Sequence, residues 1–178
     1  MRQSFTTART ALLVLLALAA GTLSRAAAPP ALGQAAPELL VPQLDGRLFD
    51  LAAQRGQVVI VNFWATWCSP CRAEMPRLDA FYRRYHARGL QLLGVSVDER
   101  SDLNAVQTIM KSFAYPAALA VDARRNGFGP PAAVPMTWII DTRGTIRARL
   151  IAGNAVTGQS LERSVLPLLP AARAGASR

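Results

Sequence analysis

Two cysteines, one histidine and a single lysine among 178 residues exclude several kinds of protein at once. One cysteine pair, Cys68 and Cys71, cannot make a disulfide framework, so the fold must rest on an apolar core. A structural zinc site takes four ligands, and beyond the pair only His86 is on offer, so a zinc centre is set aside. All but Lys111 of the 20 basic residues are arginine, and they are scattered along the chain. A nucleic-acid interface would cluster them among exposed aromatics, whereas Phe, Trp and Tyr make up 7% of the chain. Nucleic-acid binding is therefore not expected. Arg72, Arg77, Arg83, Arg84 and Arg88 read as the solvated face of one helix, with Arg72 also placed to steer an acidic partner or favour a thiolate.

No apolar run is long enough to cross a bilayer comfortably. Between Arg9 and Arg25 lie fifteen uncharged residues, short of the ~20 a spanning helix needs. Arg2 and Arg9 precede the apolar run Ala11–Ala20, and Ala26-Ala27-Ala28 supplies small residues before Pro29-Pro30. That is the pattern of an export signal, residues 1–28, read as cleaved, with an uncleaved N-terminal anchor as the alternative. The segment holds no cysteine for lipid attachment. Three of the +9 formal charges (Arg2, Arg9, Arg25) belong to it, leaving +6 once it is removed. The remainder reads as a linker over 29–36, one domain over 37–170 and a tail over 171–178.

What is present is Trp67-Cys68-Ser69-Pro70-Cys71, set between an apolar strand (Val58–Trp64) and a helix from Ser69 to about Arg88. A CxxC at a strand-to-helix junction is a redox signature. Residues three apart share a helix face, so the pair can close a disulfide within one turn. Cys68 falls at the helix N-terminus, where free backbone N–H groups and the helix dipole favour a thiolate. Pro70 suits the first turn, because its missing N–H has no helical partner there. Cys68 is expected to attack and Cys71 to resolve the mixed disulfide. A permanent staple would close almost no loop and remove little unfolded-state entropy.

The rest of the chain sorts into short elements. Leu39–Leu51 alternates around Asp45-Gly46 as a hairpin. The helix from Ser69 carries Pro76, which should kink it, and Gly89 caps its end. Leu90–Val97 is a buried strand, Asp102–Phe113 a helix and Pro116–Val121 a short strand. Asn126–Ala133 reads as a loop, Met136–Ile140 and Thr145–Ile151 as a second hairpin, and Ser160–Leu169 as a closing helix. This order gives an α/β fold: a mixed central sheet with helices on both faces and an N-terminal β-hairpin extension.

Residues from about Pro37 to Leu169 resemble the TlpA/ResA-like branch of the thioredoxin superfamily, bacterial thiol-disulfide oxidoreductases exported across the inner membrane. The resemblance is carried by the run from Val61 through Trp67-Cys68-Ser69-Pro70-Cys71-Arg72-Ala73-Glu74-Met75-Pro76. Gly94-Val95-Ser96-Val97-Asp98 and Val134-Pro135-Met136-Thr137-Trp138 support it by order and spacing. It implies a thioredoxin-like fold and a cis bond between Val134 and Pro135, facing the dithiol and presenting backbone to a substrate disulfide. Thioredoxins carry a buried aspartate six residues before the first cysteine; this chain has Asn62, which cannot titrate. Glu74, three residues after Cys71, reads on spacing alone as a solvated first-turn acid. The resemblance instead implies an active-site carboxylate with a raised pKa that relays protons to and from Cys71.

Trp64 is expected to pack in the core. Trp67 is expected to be partly exposed on the partner surface with Ser69, Pro70, Val134 and Pro135. His86 reads as an ordinary helical surface residue. Two departures put the partner in doubt: Met136 stands where related proteins dedicated to cytochrome c maturation often carry an acid, and Gly127–Ala133 is unusually rich in proline and alanine.

The function expected is reduction of disulfides in exported client proteins, of cytochrome c or copper-site maturation type, by a monomer without a bound cofactor. Its electrons would come from a membrane thiol carrier. A DsbA-type oxidant would use the same cysteines with the opposite bias. A thiol peroxidase would need Pro-x-x-x-Thr-x-x-Cys, and Val61 and Ala65 occupy those places. A copper chaperone would want wider cysteine spacing and a histidine beyond His86.

Overall fold

Near-continuous apolar strands belong in a sheet covered on both faces, and the chain has two, β3 (Val58–Trp64) and β4 (Leu90–Ser96). In the computed structural model, which describes residues 30–151 and 155–170, they pair in parallel at the centre of a five-stranded sheet. The export signal and the tail expected at the two ends lie outside the described residues. β5 (Ala117–Leu119) adds in parallel to β4, β7 (Met136–Ile140) antiparallel to β3, and β8 (Ile146–Ile151) antiparallel to β7. The order is β5-β4-β3-β7-β8.

Alternation sends Val58, Ile60, Asn62 and Trp64 to one face and Val59, Val61 and Phe63 to the other. On the first face lie α1 (Ser69–Tyr85), α2 (Leu103–Met110) and α3 (Gly158–Val165). Both β3-to-β4 and β4-to-β5 steps move the same way across the sheet, so right-handed crossovers put α1 and α2 on one side. Met75, Leu78, Val106, Met110, Leu161 and Val165 from the three helices join Val58, Ile60, Leu90 and Leu92 in one core. The second face is covered differently. β1 (Leu39–Pro42), β2 (Leu48–Asp50) and β6 (Arg125–Asn126) form a small antiparallel sheet, ordered β2-β1-β6. It buries Leu39, Val41 and Phe49 against Val59, Val61 and Phe63.

The thioredoxin-like fold, the mixed sheet and the hairpin extension are as expected. The cover of the second face is a refinement: it comes from this sheet and short 3₁₀ turns, and among the described residues no α-helical side chain enters its core. β6 straddles the start of the loop read over Asn126–Ala133, since two residues pairing with β1 across the chain leave no local pattern. Residues 33–36, read as linker, are docked: Gly33 N donates to Ile146 O at 2.8 Å and Ala36 N to Gly144 O at 2.8 Å. α1 runs unbroken through Pro76, whose missing donor frees the Arg72 carbonyl on an exposed stretch of the helix, where water can satisfy it. A 3₁₀ turn over His86–Arg88 follows, closed by Gly89 at φ 88°, a left-handed position that suits glycine. α3 starts at Gly158, before the expected Ser160, because Thr157 and Ser160 form a capping box.

Candidate active site

The chain leaves β3 at Trp64, turns over Ala65–Trp67 and enters α1, so Cys68 becomes the helix N-cap. Its Sγ accepts a hydrogen bond from Cys71 N at 3.2 Å, and the two cysteines are joined as a disulfide with Cα atoms 5.3 Å apart. Cys68 is 5% exposed and Cys71 1%. Pro70 stands in the first turn, as its chemistry favours. Ser69 and Pro70 face solvent. Arg72, Arg77, Arg83, Arg84 and Arg88 are all exposed, as a solvated helix face requires.

The turn before Cys68 is fixed by Asp98, from the segment after β4. Its buried carboxylate accepts from Thr66 N at 2.9 Å, Thr66 Oγ1 at 2.7 Å and Ser96 Oγ at 2.5 Å. Nothing in local spacing announces this: Thr66 and Asp98 are 32 residues apart.

Glu74 lies one turn beyond Cys71 on the same buried side of α1 and is 2% exposed. Its Oε1 accepts from Asn62 Nδ2 at 3.0 Å, and the same amide donates to Thr137 Oγ1 at 2.8 Å. Asn62 and Thr137 are cross-strand partners in β3 and β7, which is why they meet. Glu74 Oε2 has no partner among the described residues. Burial pushes the Glu74 carboxyl up to about 7, against the lowering effects of the Asn62 hydrogen bond and of Arg77. Gly94, opposite Asn62 in β4, makes room for aromatic rings here. A Cβ there would sit 3.1 Å from the Tyr115 ring and 3.2 Å from Trp64 Nε1. Burial, with the charges of Asp79 and Glu74, raises the Tyr115 hydroxyl and keeps it protonated.

The Val134–Pro135 peptide bond is cis. Phe63 pairs with Met136, so Pro135 lies beside the end of β3, where the turn to Cys68 begins. Pro135 is buried and Val134 half-buried. Trp64 is fully buried, whereas Trp67 is 69% exposed. Trp67 and Val134 line one groove of about 550 Å³ with Val121, Pro130, Pro131 and Glu99. Val121 was not singled out in the sequence, where it reads as the end of a strand; it is 53% exposed at a 3₁₀ turn after β5. His86 is exposed, its Nδ1 3.2 Å from Leu90 O. Among the described residues no three His, Cys, Asp or Glu side chains gather as a metal site, and no helix is long and apolar enough to cross a membrane.

The AhpC/TSA family model matches residues 32–149. A relative named thiol-disulfide oxidoreductase ResA, from Geobacillus thermodenitrificans, is 34% identical over 129 residues, spanning 70% of this chain and 71% of that protein. Two solved structures superpose over most of the chain. A thiol:disulfide interchange protein of the thioredoxin family from Chlorobium tepidum TLS has a TM-score of 0.64 at 27% identity, covering 80% of this chain and 97% of its own. A secreted thiol-disulfide isomerase from Corynebacterium glutamicum has a TM-score of 0.62 at 28% identity, covering 74% of this chain and 83% of its own.

Proposed function

Because this chain belongs to the AhpC/TSA family of the thioredoxin superfamily and is a thiol-disulfide oxidoreductase, we propose that it acts outside the cytoplasm as a reductant of exported client proteins. The clients are proteins whose cysteines must be free to take haem or copper. Residues 1–28 serve as the export signal, and a membrane thiol carrier returns the disulfide to the dithiol.

In each turnover the Cys68 thiolate attacks one sulfur of the client disulfide, and the client's other sulfur leaves as a thiolate. Cys71 then loses its proton and attacks Cys68 Sγ. The second client sulfur leaves, so the client gains two thiols and Cys68–Cys71 closes. Glu74, on the Cys71 side of α1 with a titration near neutrality, is the group that takes the Cys71 proton. Trp67, Ser69, Pro70, Val134 and Pro135 form the surface the client meets.

One observation carries the reductive direction. Cys68 Sγ receives a single N–H, from Cys71, and Ser69-Pro70 between the cysteines brings no cation. A strong oxidant owes its bias to a heavily stabilised reduced form, and Ser69-Pro70 add no charge between the cysteines to the stabilisation that the helix N-terminus gives Cys68. Equilibration of the purified domain with glutathione buffers tests this. A potential between about −200 and −270 mV is expected, and one near about −120 mV would replace this reading with an oxidant's. Trapping mixed disulfides on a Cys71→Ala variant in an exporting cell identifies the client; an outcome with no protein bound to Cys68 would count against protein reduction.

A further inference from the structure

The groove beside Cys68 has a chemistry of its own. Trp67 and Val121 are two of the large apolar side chains left exposed, at 69% and 53%, and both face it. Pro130 and Pro131 form its far wall and bring neither a side-chain hydrogen bond nor a backbone N–H. Against this apolar lining stand acceptors. Glu99 is exposed and has no ion-pair partner among the described residues, because the neighbouring Arg100 is held by Asp122. Asn126 Oδ1 is buried in the same lining with no donor among the described residues. Asp98 adds a second carboxylate, this one buried and already committed to Thr66 and Ser96. Arg72, the cation nearest the cysteines in sequence, is not among the lining residues.

A pocket with an aromatic face, an apolar wall and unpaired acceptors lacks a cation. An arginine or lysine would lay its apolar stem on Val121 and the prolines, its charged head over the Trp67 ring, and its N–H groups toward Glu99. The groove begins at Trp67, bonded directly to Cys68, and at Val134, bonded to Pro135, so a polypeptide whose sulfur reaches Cys68 also reaches the groove.

We infer that the Trp67–Val121–Glu99 groove selects clients whose cysteine lies beside an apolar residue and a basic one. This rests on the reductase reading above and adds the client's local sequence to it. The contribution is modest because Glu99 is open to water, so about fivefold in kcat/KM is expected for a basic against a neutral neighbour.

The test uses three peptides, each closed by one disulfide and differing at one position next to a Leu-Cys pair: Arg, Gln or Glu. Their reduction by the dithiol form of the described domain gives kcat/KM ratios that cancel any loss of folded protein. The order Arg, Gln, Glu is expected, with the spread shrinking in about 1 M salt, where the screening length falls to about 3 Å. Glu99→Lys should invert the order. Equal rates for the three peptides, or an order that survives Glu99→Lys, would overturn the assignment while leaving the reductase reading intact. No reduction of any peptide would overturn the assignment, and the reductase reading falls with it only if hydroxyethyl disulfide, used as a control, is left unreduced as well.

Discussion

Two carboxylates lie buried near the disulfide, on opposite sides of it, and their surroundings differ. Asp98 precedes Cys68 in space and both of its oxygens are occupied, by two donors from Thr66 and one from Ser96. Glu74 follows Cys71 and has one donor, Asn62, with its second oxygen unpartnered. Burial with few donors pushes the Glu74 carboxyl toward its neutral form. Burial alone therefore says nothing about role. Asp98 anchors the turn that carries Cys68 through three donors, whereas Glu74 keeps one oxygen unpartnered among the described residues and titrates near neutrality.

Removing the anchor should have the largest effect. Asp98→Ala strands three donors that had a charged acceptor, and a loss of about 4 kcal/mol in urea unfolding is expected. Asp98→Asn keeps an acceptor for Thr66 N and Ser96 Oγ and a donor for Thr66 Oγ1, and should recover most of it. If Asn is as damaging as Ala, charge and not geometry is what the turn needs. Next comes the proton. The Glu74 pKa is higher in the folded state, about 7, than in the unfolded chain, so the folded state holds the extra proton between about 4.5 and 7. Stability from this group is complete below that window and falls as pH rises through it. Glu74→Gln removes the fall, so its stability relative to the unsubstituted protein should grow by about 3 kcal/mol from pH 4.5 to pH 8. Equal differences at both pH values would show that Glu74 carries no extra proton in the folded state. The smallest change is at the support. Thr137→Val deletes the second acceptor of the Asn62 amide and should cost about 1 kcal/mol, with Glu74 still titrating. A flattened pH dependence in that variant would show that the amide, not burial, sets the proton affinity.

The cysteine pair, the strand before it and the helix after it were legible because their signals are local: continuous apolar residues, a cap position, a proline in the first turn. Trp64 and Trp67 were separable for the same reason, one continuing the strand and one next to the cap. Glu74 was half legible. Spacing alone favoured a solvated acid, and only the sheet register of Asn62 with Thr137 shows how it is held inside. What stayed hidden depends on contacts between distant segments. Asp98 reads as the end of a strand motif until Thr66 is brought to it, and β6 has no pattern of its own. The groove wall read as loose coil because proline and alanine advertise no structure; its shape comes from what holds its ends.

Those ends are worth a final thought. The wall springs from β6, where Arg124 N bonds Leu40 O at 2.8 Å and Gly127 N bonds Glu38 O at 2.8 Å, and it finishes at Pro135 against β7. Gly127 must stay, since a Cβ there would come within 2.8 Å of the Pro37 ring. Phe128 packs in the core against Phe63 and Trp138, and Val134 carries the cis bond to Pro135, so the stretch that enters neither apolar core is residues 129–133. The dithiol and its supports can be kept whole while that short stretch is exchanged, so that one thiol-disulfide oxidoreductase is readdressed to a different set of customers.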